Sequence, residues 1–426
     1  MTRSSLASAL RHGALAIALA GSAATSQAQP APAGYWSPSW MASTQPLWTG
    51  DFVLPTGLPF QFSGQTVRQV ARLSIGGSRL RVVISNEGGT APLYIGAAHV
   101  ARHGEGSAVV EGTDRPLRFG GQAEVTVPPG ARLVSDPVDI ALPALSELAV
   151  SLYLPRPSQP AGFHFDARQT AYVADGDLSG AVRLPAAATQ WSTRVYFSGL
   201  LVETPQPPAT VVVLGDSITD GNGSTPGAST RWPDALAERL AGRDVAVLNA
   251  GISGGRLLKD GMGRSALERA GRDVFAQPGL RAMIVLLGTN DIGWPGGPFA
   301  PDEPAMRAEA LIQGLRQLAE MAHAHNVRIT AGTIPPNERA LQGTPFEGHH
   351  SPAKDKVRQA VNRWIREGGA FDAVVDFDTL LRDPANPSRL NASMDSGDHL
   401  HPGDAGYRAM AAAVDLEALL GSYARP

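Results

Sequence analysis

The sequence predicts two architectures in succession: an antiparallel β-sandwich over residues 29–204, and a three-layer α/β/α domain with a parallel sheet over residues 210–426. The first part shows apolar residues with a period of two and frequent turns, which is typical of sandwiches. The second part alternates continuous apolar strands with helical patterns, which favours a parallel sheet covered on both faces. The proline-rich segment 205–209 separates the two and predicts a stiff linker.

The first 28 residues have the pattern of an export signal. Arg3 and Arg11 flank a short apolar core at 14–20, and Ser26-Gln27-Ala28 forms a small-x-small cleavage site. The apolar core is much shorter than the roughly 20 residues that span a bilayer. The sequence therefore predicts cleavage after Ala28, a periplasmic or secreted protein, and no stable membrane insertion once the signal is removed.

Apolar alternation defines the strands of the first region. Residues 71–75 and 80–84 alternate on either side of a turn at Gly76-Gly77, and residues 148–154 alternate again. In the second region, continuous apolar strands are predicted at 211–214, 245–248, 283–287, 327–330 and 373–377.

Two long helices and a final one are predicted between and after these strands. Leu311, Leu315, Leu318 and Ala322 mark one face of the first. The second begins near 352 with Ser351 as its N-cap, and the final helix carries an apolar stripe from 407 to 414.

Composition excludes several classes of function. The chain has 36 basic and 39 acidic residues, so no surface for nucleic acid is indicated. It has no cysteine, which excludes disulfides, a thiol nucleophile and cysteine-ligated zinc.

Polar residues follow three of the predicted parallel strands, where ligands bind in sheets of this kind. The strand at 211–214 leads into Gly215-Asp216-Ser217, the next into NAGISGG at 249–255, and the third into Gly288-Thr289-Asn290-Asp291. Each stretch alone is ordinary turn chemistry, and we interpret Asp216 as a structural residue that hydrogen-bonds its own loop.

A fourth stretch, Asp398 to His401, precedes a proline that keeps it extended. A serine, a histidine, a carboxylate and amide donors are the groups that acyl transfer requires.

In these four blocks the sequence resembles the SGNH (GDSL-type) serine hydrolases, over about residues 211–420. The resemblance implies that Ser217 is the nucleophile, His401 the general base and Asp398 the residue that orients His401. It implies an oxyanion hole made by the backbone N–H groups of Ser217 and Gly254 and the side chain of Asn290.

The four blocks of this family are named for a serine, a glycine, an asparagine and a histidine. We align Gly254, in preference to Gly251 or Gly255, with the glycine of the second block. Ile218 stands where the name-giving GDSL pattern has leucine. The stretch TVRQVARLSIGGSRLRVVISN (66–86) is similar to the β-rich N-terminal region of a subgroup of exported bacterial SGNH proteins. Carbohydrate acetylesterases with a jelly-roll domain before an SGNH domain share this arrangement, so the resemblance implies that the sandwich over residues 29–204 is jelly-roll-like.

Other residues keep open interpretations. His399 and His401 form an HxH pair with Asp395 and Asp398 nearby, but we expect no metal. His349 and His350 lie in a Gly/Pro-rich loop and are expected to be solvent-exposed. Trp294 either lines an acyl or sugar pocket or packs the loop against the sheet.

These observations predict an exported serine esterase without cofactor or metal. The preferred substrate is a short acyl ester, O-acetyl on a polysaccharide in particular. The alternatives are a lipase, an arylesterase or an O-acyltransferase with the same site, and a carbohydrate-binding protein with a vestigial hydrolase domain. Acyl length, alcohol identity and oligomeric state are not specified by the sequence.

Overall fold

The computed structural model describes residues 34–48, 50 and 52–421. The predicted signal peptide at 1–28 lies outside these residues. Within the described part of the chain, no helix combines the length and the apolar character that crossing a bilayer requires.

The first region is built from antiparallel strands. They are β1 (Tyr35–Met41), β2 (Gln45–Pro46), β3 (Gln65–Arg72), β4 (Gly77–Ser85), β5 (Leu93–Ile95), β6 (Ala97–Arg102), β7 (Arg115–Pro116), β8 (Val125–Val127), β9 (Arg132–Val134), β10 (Val138–Leu142), β11 (Glu147–Leu154), β12 (Gly162–His164), β13 (Ala171–Asp175), β14 (Thr189–Trp191), β15 (Arg194–Val195) and β16 (Phe197–Thr204).

Two sheets form the predicted sandwich. One has the order β1-β16-β4-β10, with β9 also paired to β4, and the other has the order β14-β13-β3-β11-β6-β7. Alternate residues of both sheets are buried in one apolar core, as Leu80 and Val82 of β4 and Leu148 and Val150 of β11 illustrate. The smaller sheets β15-β12-β2 and β5-β8 complete the region.

The turn at Gly76-Gly77 connects the two sheets. The strands on either side of it, β3 and β4, do not pair with each other: β3 pairs with β11 and β13, and β4 pairs with β10, β16 and β9. The predicted run 80–84 lies within β4, whereas the run 71–75 overlaps β3 only at residues 71 and 72. The pairing of both strands is decided by partners far away in the sequence.

The second region contains the predicted parallel sheet, with all five strands at or within a few residues of the expected places. They are β17 (Ala209–Gly215), β18 (Val245–Gly251), β19 (Leu280–Leu286), β20 (Arg328–Gly332) and β21 (Ala373–Val375), in the order β18-β17-β19-β20-β21.

Helices cover both faces of this sheet. They are α1 (Ser217–Asp220), α2 (Trp232–Leu240), α3 (Ala266–Ala270), which continues into a π-helical turn at Gly271–Phe275, α4 (Thr289–Gly293), α5 (Ala308–Ala324), α6 (Pro352–Glu367), α7 (Phe377–Leu381), α8 (Asp404–Ala413) and α9 (Leu416–Leu420).

The alternation of β17 explains why its sequence is apolar throughout. Val212 and Leu214 pack in the core that contains α5 and α6, whereas Val211 and Val213 pack in the core that contains α2 and α8. The predicted N-cap of α6 is confirmed, because Ser351 accepts a hydrogen bond from the backbone N–H of Lys354 at 3.2 Å.

The described residues form one compact unit, in which the β-rich and α/β regions are joined by hydrogen bonds. The side chains of Gln45 and Trp48 both donate to the carbonyl of Met262, at 2.8 Å. The backbone N–H of Val247 donates to Ser74 Oγ at 3.2 Å. The exact domain limits, including a linker at 205–209, stay a prediction.

Candidate active site

The strand order brings the predicted site residues to one edge of the parallel sheet. Ser217 follows β17, Gly254 follows the neighbouring β18, and Asn290 follows β19 on the other side. β17 is the first strand of the parallel sheet in chain order, and it lies between the second strand, β18, and the third, β19. This edge is therefore the topological switch point where ligands bind in such sheets.

Ser217, His401 and Asp398 form a hydrogen-bonded line. The distance from Ser217 Oγ to His401 Nε2 is 2.8 Å, and that from His401 Nδ1 to Asp398 Oδ2 is 2.6 Å. Since the carboxylate only accepts, Nδ1 carries the proton and Nε2 can accept one from the serine.

Asp398 is held as a carboxylate by its surroundings. Its Oδ1 accepts the backbone N–H groups of Leu400 and His401, at 2.9 and 2.8 Å. Burial opposes ionisation of Asp398. The hydrogen bond from the His401 ring, the charge of that ring and the two backbone donors outweigh burial, and together they hold the pKa of Asp398 well below its ordinary value. The loop from 398 to 401 therefore fixes both the charge and the direction of the imidazole.

The nucleophile candidate begins a short helix. Asp216 is the N-cap of α1, and its Oδ1 accepts the backbone N–H of Ile218 at 3.0 Å, so the interpretation that Asp216 bonds its own loop is confirmed. Burial raises the pKa of Asp216 to about 7.

Gly254 occupies a position that only glycine fits. Its φ is +69°, and a Cβ there would come within 2.2 Å of Met262 Sδ and 2.9 Å of the Trp294 ring. Ser217, Gly254, Asn290 and His401 all line the same pocket. Gly254 therefore belongs to the lining of the pocket that Ser217 also lines.

Asn290 is oriented by a residue whose position the sequence analysis predicted wrongly. We expected His349 to be exposed, but it is buried, with 5% of its surface accessible. Its Nε2 lies 3.3 Å from Asn290 Oδ1, and its Nδ1 lies 3.2 Å from the side-chain amide of Asn337. Burial, with the positive charge of Lys354, lowers the pKa of His349 to about 3. Neutral His349 therefore accepts from Asn337 and donates to Asn290.

This contact directs the amide of Asn290. The side-chain oxygen of Asn290 accepts from His349, so the amide nitrogen points the other way. This nitrogen, Nδ2, donates one hydrogen to the carbonyl of Gly255 at 3.0 Å and has a second hydrogen that can be donated to an oxyanion. No local pattern marks His349, because its partners lie 12 and 59 residues away in the sequence.

An apolar pocket of about 150 Å³ opens at the serine. Trp294 is buried and stacks on Phe299 with ring centroids 4.6 Å apart, so it both lines the pocket and packs its loop. Two wall residues come from the β-rich region, which sequence reasoning missed. The apolar wall residues are Leu54, Phe165, Met262, Trp294, Phe299, Leu341, Phe346 and Leu400.

His399 and His401 do not share a ligand site. His399 Nδ1 pairs with Asp395 Oδ2 at 2.6 Å, while His401 pairs with Asp398. No group of three or more His, Cys, Asp or Glu residues in the described part of the chain is arranged to hold a metal ion.

Comparison with protein families finds a match in the second region. Residues 213–409 match the model of the GDSL-like lipase/acylhydrolase family. This part of the chain is thus similar to that family. It contains Ser217, Gly254, Asn290, Asp398 and His401. A comparison with curated proteins finds no match.

Several solved structures resemble the chain at low identity. A candidate arylesterase from Agrobacterium tumefaciens is 24% identical, with 48% of this chain and 95% of that one covered and a TM-score of 0.38. A GDSL-like lipase from Bacteroides thetaiotaomicron is 20% identical, with 48% and 84% covered and a TM-score of 0.36. A carbohydrate acetylesterase family member from Sinorhizobium meliloti is 19% identical, with 48% and 94% covered and a TM-score of 0.36.

Proposed function

We propose that the protein is a serine carboxylic-ester hydrolase that acts through an acyl-Ser217 intermediate. The observation that carries the proposal is the line from Ser217 Oγ through the imidazole of His401 to the carboxylate of Asp398, with distances of 2.8 and 2.6 Å. This is the arrangement that activates a serine hydroxyl for attack on a carbonyl carbon.

In the acylation step, Ser217 Oγ bonds to the ester carbonyl carbon while its proton moves to His401 Nε2. The carbonyl oxygen takes up the electron pair of the broken π bond and becomes an oxyanion. The backbone N–H groups of Ser217 and Gly254 and the Asn290 amide donate to this oxyanion. Its collapse breaks the bond to the alcohol oxygen, which leaves with the proton from His401.

In the deacylation step, water replaces the alcohol. His401 takes a proton from the water as its oxygen bonds to the acyl carbon, and returns that proton to Ser217 Oγ when the acid is released. Asp398, as a carboxylate, stabilises the imidazolium in both steps.

The dimensions of the pocket favour a short acyl group. The pocket at Ser217 is small, at about 150 Å³, and its lining is mostly apolar. A small apolar pocket suits an acetyl, propionyl or butyryl group better than a fatty acyl chain. We propose short-chain esters as substrates, with O-acetyl esters of carbohydrates first among them, and export by the predicted signal at residues 1–28.

Hydrolysis of 4-nitrophenyl acetate by the purified chain tests the reaction. We expect turnover by the wild type and loss of turnover in Ser217→Ala, with an unchanged circular dichroism spectrum. The control is Ser393→Ala, which removes an exposed serine of the same region and should keep the wild-type turnover. EDTA is expected to leave the rate unchanged. Turnover by Ser217→Ala at a large fraction of the wild-type rate would exclude the acyl-serine mechanism.

A screen with acetylated xylan, pectin and acyl esters of simple alcohols then tests the substrate. Release of acetate from the polysaccharides supports the carbohydrate ester, and preference for the simple esters favours the arylesterase or lipase alternative. Accumulation of acylated sugar in place of free acid would identify an O-acyltransferase. Binding of glycans without any turnover would support the vestigial hydrolase.

A further inference from the structure

His164, in β12 of the β-rich region, is buried between two hydrogen-bond acceptors. Its Nδ1 lies 2.9 Å from the backbone carbonyl of Ser43, and its Nε2 lies 2.8 Å from Asp220 Oδ1. Only an imidazolium has an N–H on both ring nitrogens. Burial opposes that charge, but Asp220 raises the pKa of His164 above its ordinary value. The pair is thus a charged contact between the two regions of the chain.

Asp220 also holds the loop that carries Gly254. Its second oxygen, Oδ2, accepts both the backbone N–H and the hydroxyl of Ser253, each at 2.9 Å. Ser253 immediately precedes Gly254, and Asp220 is the last residue of α1, whose first residue is Ser217. A single carboxylate therefore ties the helix of the nucleophile to the glycine loop.

We propose that His164 is a positioning residue for the oxyanion hole, contributed by the β-rich region to the α/β region. Its charge fixes the orientation of Asp220, and Asp220 in turn sets the separation between the backbone N–H groups of Ser217 and Gly254. The inference rests on the proposed esterase function, since it assigns to these two N–H groups the role of oxyanion donors.

Burial explains why the histidine matters. His164, Asp220 and Ser253 are each less than a tenth exposed, so water cannot replace a missing partner. Without the imidazolium, Asp220 is a buried carboxylate whose Oδ1 lacks its donor, and it relaxes by moving or by taking up a proton. Either response changes its contact with Ser253. Displacement of a catalytic group by about 1 Å can lower a rate by about 10²-fold.

The test compares kcat and KM for 4-nitrophenyl acetate in variants of the full chain. We expect His164→Ala to lower kcat by about tenfold to 10²-fold with little change in KM, since the oxyanion forms only after the substrate binds. The double variant His164→Ala/Asp220→Asn should regain part of kcat, because the amide oxygen still accepts from Ser253 and the unpaired charge is gone. The matched control is His99→Ala, which removes a His–Asp pair of 2.8 Å within the β-rich region and should leave kcat unchanged.

If His164→Ala does not fold, Ser253→Ala tests the second step of the inference, because it removes one of the two donors to Asp220 Oδ2 and leaves the His164–Asp220 pair in place. A lower kcat with constant KM is expected there too. A wild-type kcat in a folded His164→Ala or Ser253→Ala protein overturns the inference, and the esterase function then still stands. Absence of turnover in the wild type would instead contradict the proposed function.

Discussion

His349 orients the side chain of Asn290 in the candidate active site. Its neutral ring connects Asn337 to Asn290 and so turns the Asn290 amide toward the pocket. We expect Asn290→Ala to lower kcat by about 10²–10³-fold, the cost of losing one oxyanion donor. His349→Ala should lower kcat less, because the amide remains but is free to rotate. Steady-state kinetics with 4-nitrophenyl acetate measure both.

The neighbouring histidine provides the control for this prediction. His350 is only partly buried and lines a separate surface groove, so His350→Ala should keep the wild-type kcat. Because His349 titrates near pH 3, its removal should lower kcat by the same factor across the neutral range. Equal kcat values for His349→Ala and the wild type would show that Asn290 is held by other contacts.

Asp216 makes stability depend on pH. Burial raises its folded-state pKa to about 7, above the unfolded value near 4. The stability associated with its proton is therefore complete below pH 4 and is lost as the pH rises through 7. The stability of Asp216→Asn relative to the wild type should rise between pH 5 and pH 8 by up to about 3 kcal/mol, because the two pH units from 5 to the folded-state pKa contribute about 1.4 kcal/mol each. Urea unfolding at the two pH values measures the gain.

Asp136 serves as a control, because its effect on stability should depend on pH in the opposite direction to that of Asp216. The backbone N–H groups of Gly121 and Gly120 lower the pKa of Asp136, so its contribution is present at neutral pH and lost on acidification. Asp136→Asn should therefore lose stability relative to the wild type at neutral pH. A pH-independent difference between Asp216→Asn and the wild type would contradict the raised pKa.

At the scale of elements, the sequence predicted what is local and left open what depends on distant partners. The five parallel strands and the α5 and α6 helices follow from hydrophobic periodicity and capping residues, which act over a few positions. The pairing of β3 with β11 and not with β4 depends on strands that lie far apart in the chain. The contacts of His164 and His349 could not be predicted for the same reason, because their hydrogen-bond partners lie on other elements.

The loop after β18 gives a prediction at this scale. Gly254→Ala should reduce kcat strongly, because the new Cβ would lie 2.2 Å from Met262 Sδ and 2.9 Å from the Trp294 ring, and we expect relief of both contacts to shift the loop that carries the backbone N–H of Gly254. Gly242→Ala is the matched control: its φ is +80° but no atom lies within 4 Å of the new Cβ. Both changes should cost about 1–2 kcal/mol of stability for the left-handed backbone, and only Gly254→Ala should lose activity. Equal kcat values would show that the loop can move without consequence.

On the scale of the whole molecule, the β-rich region forms part of the site. Leu54 and Phe165 line the pocket together with Met262 and Trp294 of the α/β region, and Trp48 packs on Phe165 with ring centroids 4.8 Å apart. The acyl group of a bound ester would therefore touch both regions. If the proposed esterase function holds, we expect the packing between the two regions to set the acyl length that the pocket accepts.

Removal of one wall residue should change that preference. In the wild type we expect kcat/KM for 4-nitrophenyl esters to fall beyond butyryl, where the pocket is full. Phe165→Ala enlarges the pocket from the β-rich side, so the optimum should move to longer chains, each further buried CH₂ contributing up to about 0.8 kcal/mol. Phe60→Ala, which removes a phenyl ring that is 80% exposed, should keep the wild-type profile. If Phe165→Ala hydrolyses the ester series in wild-type proportions, the acyl group does not reach this wall, and the β-rich region has no part in the selection of acyl length.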